Sequence, residues 1–510
     1  MKNKSQLKAG VVLSYLQTGL GMIISLAYTP VMLRILGQNE YGIYQTAASV
    51  ISYLGLLSFG FGSSYMRFYA RFKAAEDETG LKKLNGLFLT VYGGASALSL
   101  IAGFVLLSFP REVFGEKFSE SELQLAQTLM FFMVISMALS FIDSVFSMYI
   151  TAHEKFVFQR VLSLITTVLN PMITLPLLLM GFGSIALTAV SFFVSVASFI
   201  ANITYAKRLG IAFSLKNPDF SLLKEIAVFS FFIFITSVAG QLNYTIDKYL
   251  LARFVGPDAV SVYDIGNRFN TYLMTLSGTV SIVFIPRINK IVAQSNDNRV
   301  LSELMIKVGR IQFFVVALVF FGFCLVGRYF IGVYAGEGYE QSYIIAVLLM
   351  GASFIPYIQN IGIEIQKAKN KHIIRSIVFF VIAVFNVLVS IPLIFSLGIK
   401  GAALGSALAL IAGNTIFMNF YYKKGIGLDM KLFWCSMLRP VAAAAAAFLP
   451  CLAVTQFFPV DRMNRFLIVG VLFVLLYATA VWFIGANADE KQMVQSFLKN
   501  IKNILVKKKV

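Results

Sequence analysis

The chain has 510 residues, 58% of them hydrophobic and only 13% charged, with a mean hydropathy of +0.78. That balance excludes a soluble globular domain and fits a chain that crosses a hydrocarbon core about 30 Å thick many times. The formal net charge is +19, but the basic residues lie between apolar segments rather than on one soluble face, which points to membrane topology and not to nucleic acid.

The N-terminus carries three lysines and runs at once into an apolar stretch of about 25 residues, longer than a signal-peptide core and without a small-residue cleavage site. It is expected to stay as the first span. About 14 apolar segments of spanning length are expected in all, near 10–33, 41–63, 85–108, 123–150, 157–180, 183–205, 222–247, 260–285, 308–331, 341–365, 372–396, 399–421, 433–456 and 463–485. Gly181, Gly183 and Gly398 make the joins after the fifth and eleventh segments tight, so their helices should form antiparallel hairpins. With the N-terminus inside, Lys and Arg favour the inner side roughly three to one, which predicts a multi-pass cytoplasmic-membrane protein with both termini cytosolic. Residues 489–510 place Val494, Phe497, Leu498, Ile501 and Leu505 on one helical side among lysines, predicting a basic amphipathic tail on the inner leaflet.

Catalytic chemistry finds little footing. Cys324, Cys435 and Cys451 fall in or beside apolar segments without metal-site spacing, and His153 and His372 lie in short polar connections. There is no glycine-rich phosphate loop and no nucleophile paired with a base. The outer loops are too short for an extracytoplasmic catalytic domain. A non-enzyme without cofactor or metal is expected.

The chain also resembles itself. Leu36-Gly37, Tyr44 and Tyr53-Leu54 match Val255-Gly256, Tyr263 and Tyr272-Leu273 at an offset of 219, and Arg34 matches Arg253. Asn170 and Pro176 match Asn386 and Pro392 at 216, while Ala186-Leu187 and Tyr205 match Ala403-Leu404 and Tyr422 at 217. An even number of spans per repeat preserves orientation, so the expected fold is an all-α integral membrane protein with two parallel six-helix lobes around a central cavity, plus two C-terminal helices. The boundaries are 1–210 for the N-lobe, 211–425 for the C-lobe, 426–488 for spans 13 and 14, and 489–510 for the tail.

Within the eighth span, Asp264, Asn267, Arg268 and Thr271 recur at i, i+3, i+4 and i+7, which gives a membrane-length helix one polar, charged face. An Asp or Arg near the bilayer centre costs about 2.5–3.5 kcal/mol on insertion scales, so these residues should face a partner or a wet cavity. The repeat aligns Asp264, Arg268 and Thr271 with Gln45, Ser49 and Ser52 of the second span, so the same face is polar in both lobes but charged only in the second.

The run L-G-Q-N-E-Y-G-I-Y at Leu36–Tyr44, the segment G-I-K-G-A-A-L-G-S-A at Gly398–Ala407 and the 12-plus-2 arrangement of spans together resemble the polysaccharide transporter family, the Wzx-type oligosaccharide-lipid flippases. That family belongs to the superfamily shared with lipid II flippases and multidrug and toxin extruders. The resemblance implies an alternating-access flippase that carries a polyprenyl-diphosphate-linked oligosaccharide from the cytosolic to the outer leaflet for cell-surface polysaccharide synthesis. Alternatives are a lipid II flippase or a multidrug:cation antiporter on the same fold, and, with less support, a membrane sugar-lipid ligase or polymerase. Expected partners are the lipid-linked oligosaccharide, membrane lipids and a glycan polymerase with glycosyltransferases, around a monomeric transporter.

Two readings of Asp264 and Arg268 stand: mutual neutralisation that permits insertion, or an Arg268 fork that engages an anionic headgroup while Asp264 tunes it or takes a proton. Gln241 and Lys248 of the seventh span are further cavity candidates, although Lys248 could equally snorkel to an interface. Asp247 and, in the fourth span, Asp143 are candidate coupling acids, with a lone satisfied acid as the alternative for Asp143. Arg67, Arg71, Arg287 and Lys290 close spans 2 and 8 and suggest a basic cytosolic vestibule, which positive-inside bias alone would also produce. Pro356 should kink the tenth span and act as a hinge or cavity wall.

Overall fold

The computed structural model describes residues 2–215, 220–493, 495 and 496, and these are helical with no strand among them. In chain order the helices are α1 (Lys2–Leu54), α2 (Phe61–Ala74), α3 (Glu78–Ser108), α4 (Pro110–Phe114), α5 (Glu120–Ala152), α6 (Phe156–Leu179), α7 (Gly183–Arg208), α8 (Phe220–Phe254) and α9 (Pro257–Ile282). There follow α10 (Ile285–Gln294), α11 (Asn298–Ala335), α12 (Glu340–Ile358), α13 (Ile361–Ala368), α14 (His372–Leu397), α15 (Ile399–Leu410), α16 (Met418–Tyr421), α17 (Met430–Phe457) and α18 (Met463–Ala480). Wider π-type turns flank α16 at Ile411–Phe417 and Tyr422–Ile426 and extend α18 over Val481–Gly485.

Eleven of the described helices are long and apolar enough to cross a membrane, or thirteen if each of two bent pairs is one span. The first, Leu13–Ser58, covers 46 residues and takes in the two segments that hydropathy separates, because the chain stays helical on both sides of Gly37. Gly37 itself has φ 72° and ψ 177°, outside the helical region and costly for any residue with a Cβ. Its repeat mate Gly256 also lies at positive φ, 125°. One of the two bent pairs joins Pro257–Ile282 to Ile285–Gln294 at 46°.

Contacts divide the chain into two compact units, Met1–Ile265 with Ser376–Ala409, and Gly266–Arg375 with Leu410–Val510. In the first, α2, α3 and α5 close on an aromatic core around Tyr65, Phe68, Phe88 and Tyr149. Tyr65 packs edge-on to Phe88 at 5.0 Å and donates its hydroxyl to Asn85 Oδ1 at 2.7 Å, so the buried phenol is satisfied. The opposite face of α3 turns Leu98, Ile101, Phe104 and Val105 outward at helical spacing. A surface this apolar is solvated by lipid. α5 begins with a capping box, Ser119 N donating to Glu122 Oε2 at 2.7 Å and Glu122 N to Ser119 Oγ at 3.4 Å.

In the second unit, α11 packs against α12, α17 and α18. Arg310 of α11 is buried and donates to both carboxylate oxygens of Glu490 at 2.6 and 2.8 Å, to Gly485 O at 2.7 Å and to Ser436 O at 2.6 Å. The predicted amphipathic tail lies largely outside the described residues; Glu490, near its start, is fixed by this pairing. Pro356 sits inside α12, and the helix ends two residues later at Ile358, before α13 starts at Ile361. Ser277 Oγ donates to the carbonyl of Tyr357 at 2.6 Å, and Gln359 exchanges hydrogen bonds with Asn419, so the interruption leaves these groups paired.

Candidate functional site

The first unit holds two carboxylates back to back, each facing a different cluster. Adjacent residues on a helix point about 100° apart. The dipeptides Asp247-Lys248 on α8 and Tyr263-Asp264 on α9 therefore send one residue each into two separate polar groups.

In one group, Lys248 pairs with Asp264, and Tyr41 Oη of α1 donates to the same carboxylate at 2.5 Å. Lys248 Nζ also reaches Gln45 Oε1 at 3.4 Å, and Gln45 Nε2 donates to Tyr41 Oη at 2.8 Å, closing a ring of four side chains from three helices. The side chains of Lys248 and Asp264 are only 15% and 9% exposed. Lys248 thus turns inward to an acid and does not run out to an interface.

In the other group, Asp247 accepts from Tyr263 Oη at 2.7 Å and from Ser406 Oγ of α15. Asn386 Oδ1 of α14 lies 3.2 Å from Ser406 Oγ and accepts from Ser390 Oγ at 2.8 Å. Asp247 is 2% exposed, and its Oδ1 is buried without a hydrogen-bond partner. This second cluster exists because α14 and α15 touch backbone to backbone. A Cβ on Gly401 would collide with the Leu393 carbonyl, and one on Gly405 would come 2.8 Å from Ser390 Cα. The glycines of the G-A-A-L-G run therefore bring Ser406 over Asp247, the small-residue packing usual between membrane helices.

The other candidates are placed as follows. Ser49 is buried and Ser52 half-buried, and both hydroxyls donate back into their own helix, to Gln45 O at 2.7 Å and Ser49 O at 2.6 Å. Gln241 is half-buried two turns before Lys248. Asp143 of α5 accepts from Asn202 Nδ2 at 2.9 and 3.1 Å, Asn202 accepts from Gln159 at 3.1 Å, and Gln159 accepts from Ser147 at 3.3 Å. Every donor in that chain points toward the carboxylate. It borders a cavity of about 380 Å³ lined also by Ser140, Thr167, Asn170, Ser191 and Ser195. Arg67 and Arg71 are exposed on α2, and Arg71 Nη1 donates to both carboxylate oxygens of Glu225 at 3.0 and 3.2 Å.

In the second unit Arg268 and Asn267 are half-buried and Thr271 is exposed on α9, with Thr271 Oγ1 donating to Asn267 O at 3.1 Å. Arg287 and Lys290 are exposed on α10. No group of three or more His, Cys, Asp or Glu among the described residues is placed to hold a metal.

Residues 7–292 match the family model described as polysaccharide biosynthesis protein. The chain belongs to that family. The Bacillus subtilis membrane protein EpsK, described as uncharacterized, is 23% identical over 501 residues, 93% of this chain and 94% of its own. The Haloferax volcanii protein Agl15, described as a probable low-salt glycan biosynthesis flippase, is 21% identical over 236 residues, 46% of this chain and 50% of its own. Among solved structures, the lipid II flippase MurJ in an inward closed conformation superposes with a TM-score of 0.71 at 18% identity, covering 92% of this chain and 98% of that one. An inward-facing multidrug resistance transporter of the MATE family follows at 0.57 and 16%, covering 82% and 98%. The fold of this polysaccharide biosynthesis family member is therefore the one those transporters share.

The family motif around Leu36 gains a physical meaning here. Asn39 Nδ2 donates to Glu122 Oε1 at 2.7 Å at the start of α5, and Gln38 donates to Asp258 O at 3.3 Å at the start of α9. Glu40 accepts from Ser184 N at 2.6 Å and Ser184 Oγ at 2.7 Å at the start of α7. Tyr41 holds Asp264. Three consecutive side chains of this segment, Gln38, Asn39 and Glu40, thus tie α1 to three helix N-termini, where Glu40 also complements the α7 dipole, and the next, Tyr41, reaches α9 two turns in. Tyr41, Tyr263, Asn386, Ser390 and Ser406 escape a sequence reading because their roles come from neighbours on other helices. The alternating Asp-Lys and Tyr-Asp dipeptides within apolar spans are the one signal available.

Proposed function

We propose that the protein is a flippase that carries a polyprenyl-diphosphate-linked oligosaccharide from the cytosolic to the outer leaflet of the cytoplasmic membrane, for cell-surface polysaccharide synthesis. What carries this reading is a charged, hydrogen-bonded system from α1, α8 and α9 inside a many-span helical bundle whose family makes polysaccharides. Treating the break at Gly37 as the turn between two crossings gives the 14 spans of two six-helix lobes, 1–210 and 211–425, followed by 426–488. Both termini are then cytosolic, and lobe rocking alternates access.

In this scheme Arg268 meets the diphosphate, which its forked donors suit. Asn267, Thr271, Gln45, Ser49, Ser52 and Gln241 present polar surface to the sugars, and the Lys248–Asp264 pair sets the charge of the wall. Arg67, Arg71, Arg287 and Lys290 gather substrate at the cytosolic mouth, and Pro356 lets its helix flex. Asp247, with one oxygen unpartnered among hydroxyls and an amide, is the coupling acid best placed to take a proton or a sodium ion; Asp143 is the second. An inside-negative potential also favours outward movement of anionic charge, by about 2.3 kcal/mol per charge per 100 mV. The transporter acts as a monomer alongside a glycan polymerase and glycosyltransferases.

The test is leaflet access of a labelled lipid-linked oligosaccharide in proteoliposomes. Wild-type protein should expose the sugar on the far side, Arg268→Ala should not although it inserts normally, and Asp247→Asn should lose dependence on the ion gradient. Efflux of cationic drugs without movement of any lipid-linked sugar would overturn the proposal, and normal transport by Arg268→Ala would remove that residue from the site.

A further inference from the structure

A separate cavity of about 360 Å³ lies in the second unit, where the connection from α10 to α11, the connection from α13 to α14 and the turn before α17 meet. Lys369, Lys371, Asn296, Asn298 and Asn370 line it. Lys369 Nζ donates to Asn298 Oδ1, and Lys371 Nζ donates to the Gly425 carbonyl at 2.6 Å. Both acceptors are neutral. Neither lysine forms an ion pair among the described residues, whereas Lys367, two residues earlier, is paired with Glu364 at 2.8 Å.

Two ammonium groups sharing a cavity with only neutral acceptors repel each other, and Lys369 shows the cost: burial first, then the charge of Lys371, holds its proton affinity below the ordinary lysine value. Each ammonium has three N–H donors and spends one. The remaining donors point to a compact anion with several oxygens, and the side-chain amides of Asn296 and Asn370 add neutral donors at the rim.

We propose that this cavity binds a phosphate group, with Lys369 and Lys371 as its charge partners, and that the bound phosphate ties together the three connections that line it. The phosphate comes either from a lipid headgroup or from a free phosphate ion. The site lies on connections that the transport proposal does not use, so the two stand or fall separately.

The test measures thermal unfolding of the full chain in two arms. In neutral detergent, inorganic phosphate is titrated against chloride at equal ionic strength. In nanodiscs, phosphatidylcholine alone is compared with phosphatidylcholine containing phosphatidic acid. The expected result is a rise of several degrees with phosphate, with phosphatidic acid or with both, absent in the Lys369→Gln/Lys371→Gln double variant and retained in Lys367→Gln. A rise in the phosphate arm alone identifies the free ion as the source, and a rise in the nanodisc arm alone identifies the headgroup. The proposal is overturned by no rise beyond the chloride control in either arm, or by an equal rise in the double variant.

Discussion

Asp264 shows how an acid is kept inside an apolar bundle: Lys248 supplies the opposite charge and Tyr41 a hydroxyl donor, from two other helices. Lys248→Met takes the opposite charge away from a buried carboxylate that keeps Tyr41 as a donor and should destabilise by about 3–5 kcal/mol, while Lys248→Met with Asp264→Leu should recover most of that loss. Thermal unfolding of the three variants in one detergent reads the difference, and equal losses in the single and double variants would show that the pair is not what matters there. Helical spacing offers Arg268, one turn away, as a partner for Asp264, but it cannot offer Lys248, because spacing along one helix says nothing about what a neighbouring helix presents. His153 carries a different residue-scale consequence. Its ring lies 4.2 Å from that of Tyr149 and within 3.1 Å of Tyr69 Oη, and burial, followed by the charges of Lys73 and Lys155, lowers its pKa below the usual 6.5. The unfolded chain then binds the proton more readily than the folded one. Stability contributed here is complete above pH 6.5 and is lost as pH falls through the folded pKa. Unfolding temperature should therefore drop between pH 7.5 and 5.5, and His153→Gln should drop less; parallel curves would refute the assignment.

At the scale of elements, glycines decide where helices can touch. Gly42 lies in the first turns of α1 after the Gly37 break, and a Cβ there would lie 2.5 Å from the carbonyl carbon of Pro257, the first residue of α9. Gly42→Ala must push α9 away from α1 and so pull Asp264 off Tyr41, at a cost of about 1–3 kcal/mol or more for overpacking. Gly93→Ala, where an added Cβ meets nothing within 4 Å, is the matched control and should unfold like wild type. Equal unfolding temperatures for the two variants would mean that the contact is slack. The L-G-Q-N-E-Y-G run is recognisable in the sequence as a family mark, but its job is not. Gln38, Asn39 and Glu40 read in the sequence as an ordinary polar loop, and only the arrival of three helix N-termini beside this helical stretch makes them fastenings. The break in α12 is legible to within a few residues from Pro356, because the cause is local. The close approach of α14 and α15 at Gly401 and Gly405 is visible only as small residues four apart.

For the molecule as a whole, composition dictates the solvent, and the solvent inverts the usual meaning of exposure. All-helical architecture follows because a spanning segment must satisfy its own backbone groups where no water reaches. That is why fold class is legible from hydropathy while cross-helix chemistry is not. The inversion makes a prediction that separates this protein from any soluble helical bundle. Ile101 on α3 is 63% exposed, flanked along the same face by Leu98 and Phe104. In water, Ile101→Lys would be a surface change worth less than about 0.5 kcal/mol. In a bilayer the same lysine, two turns inside the end of a 31-residue helix, should cost up to about 2.5–3.5 kcal/mol on insertion scales, offset in part by snorkelling. Ile101→Lys should therefore lower the yield of membrane-integrated protein severalfold, Ile101→Leu should not, and Glu112→Lys, beyond the end of that helix, should be tolerated. Wild-type yield from Ile101→Lys would mean that this face of α3 meets water or a protein partner instead of lipid.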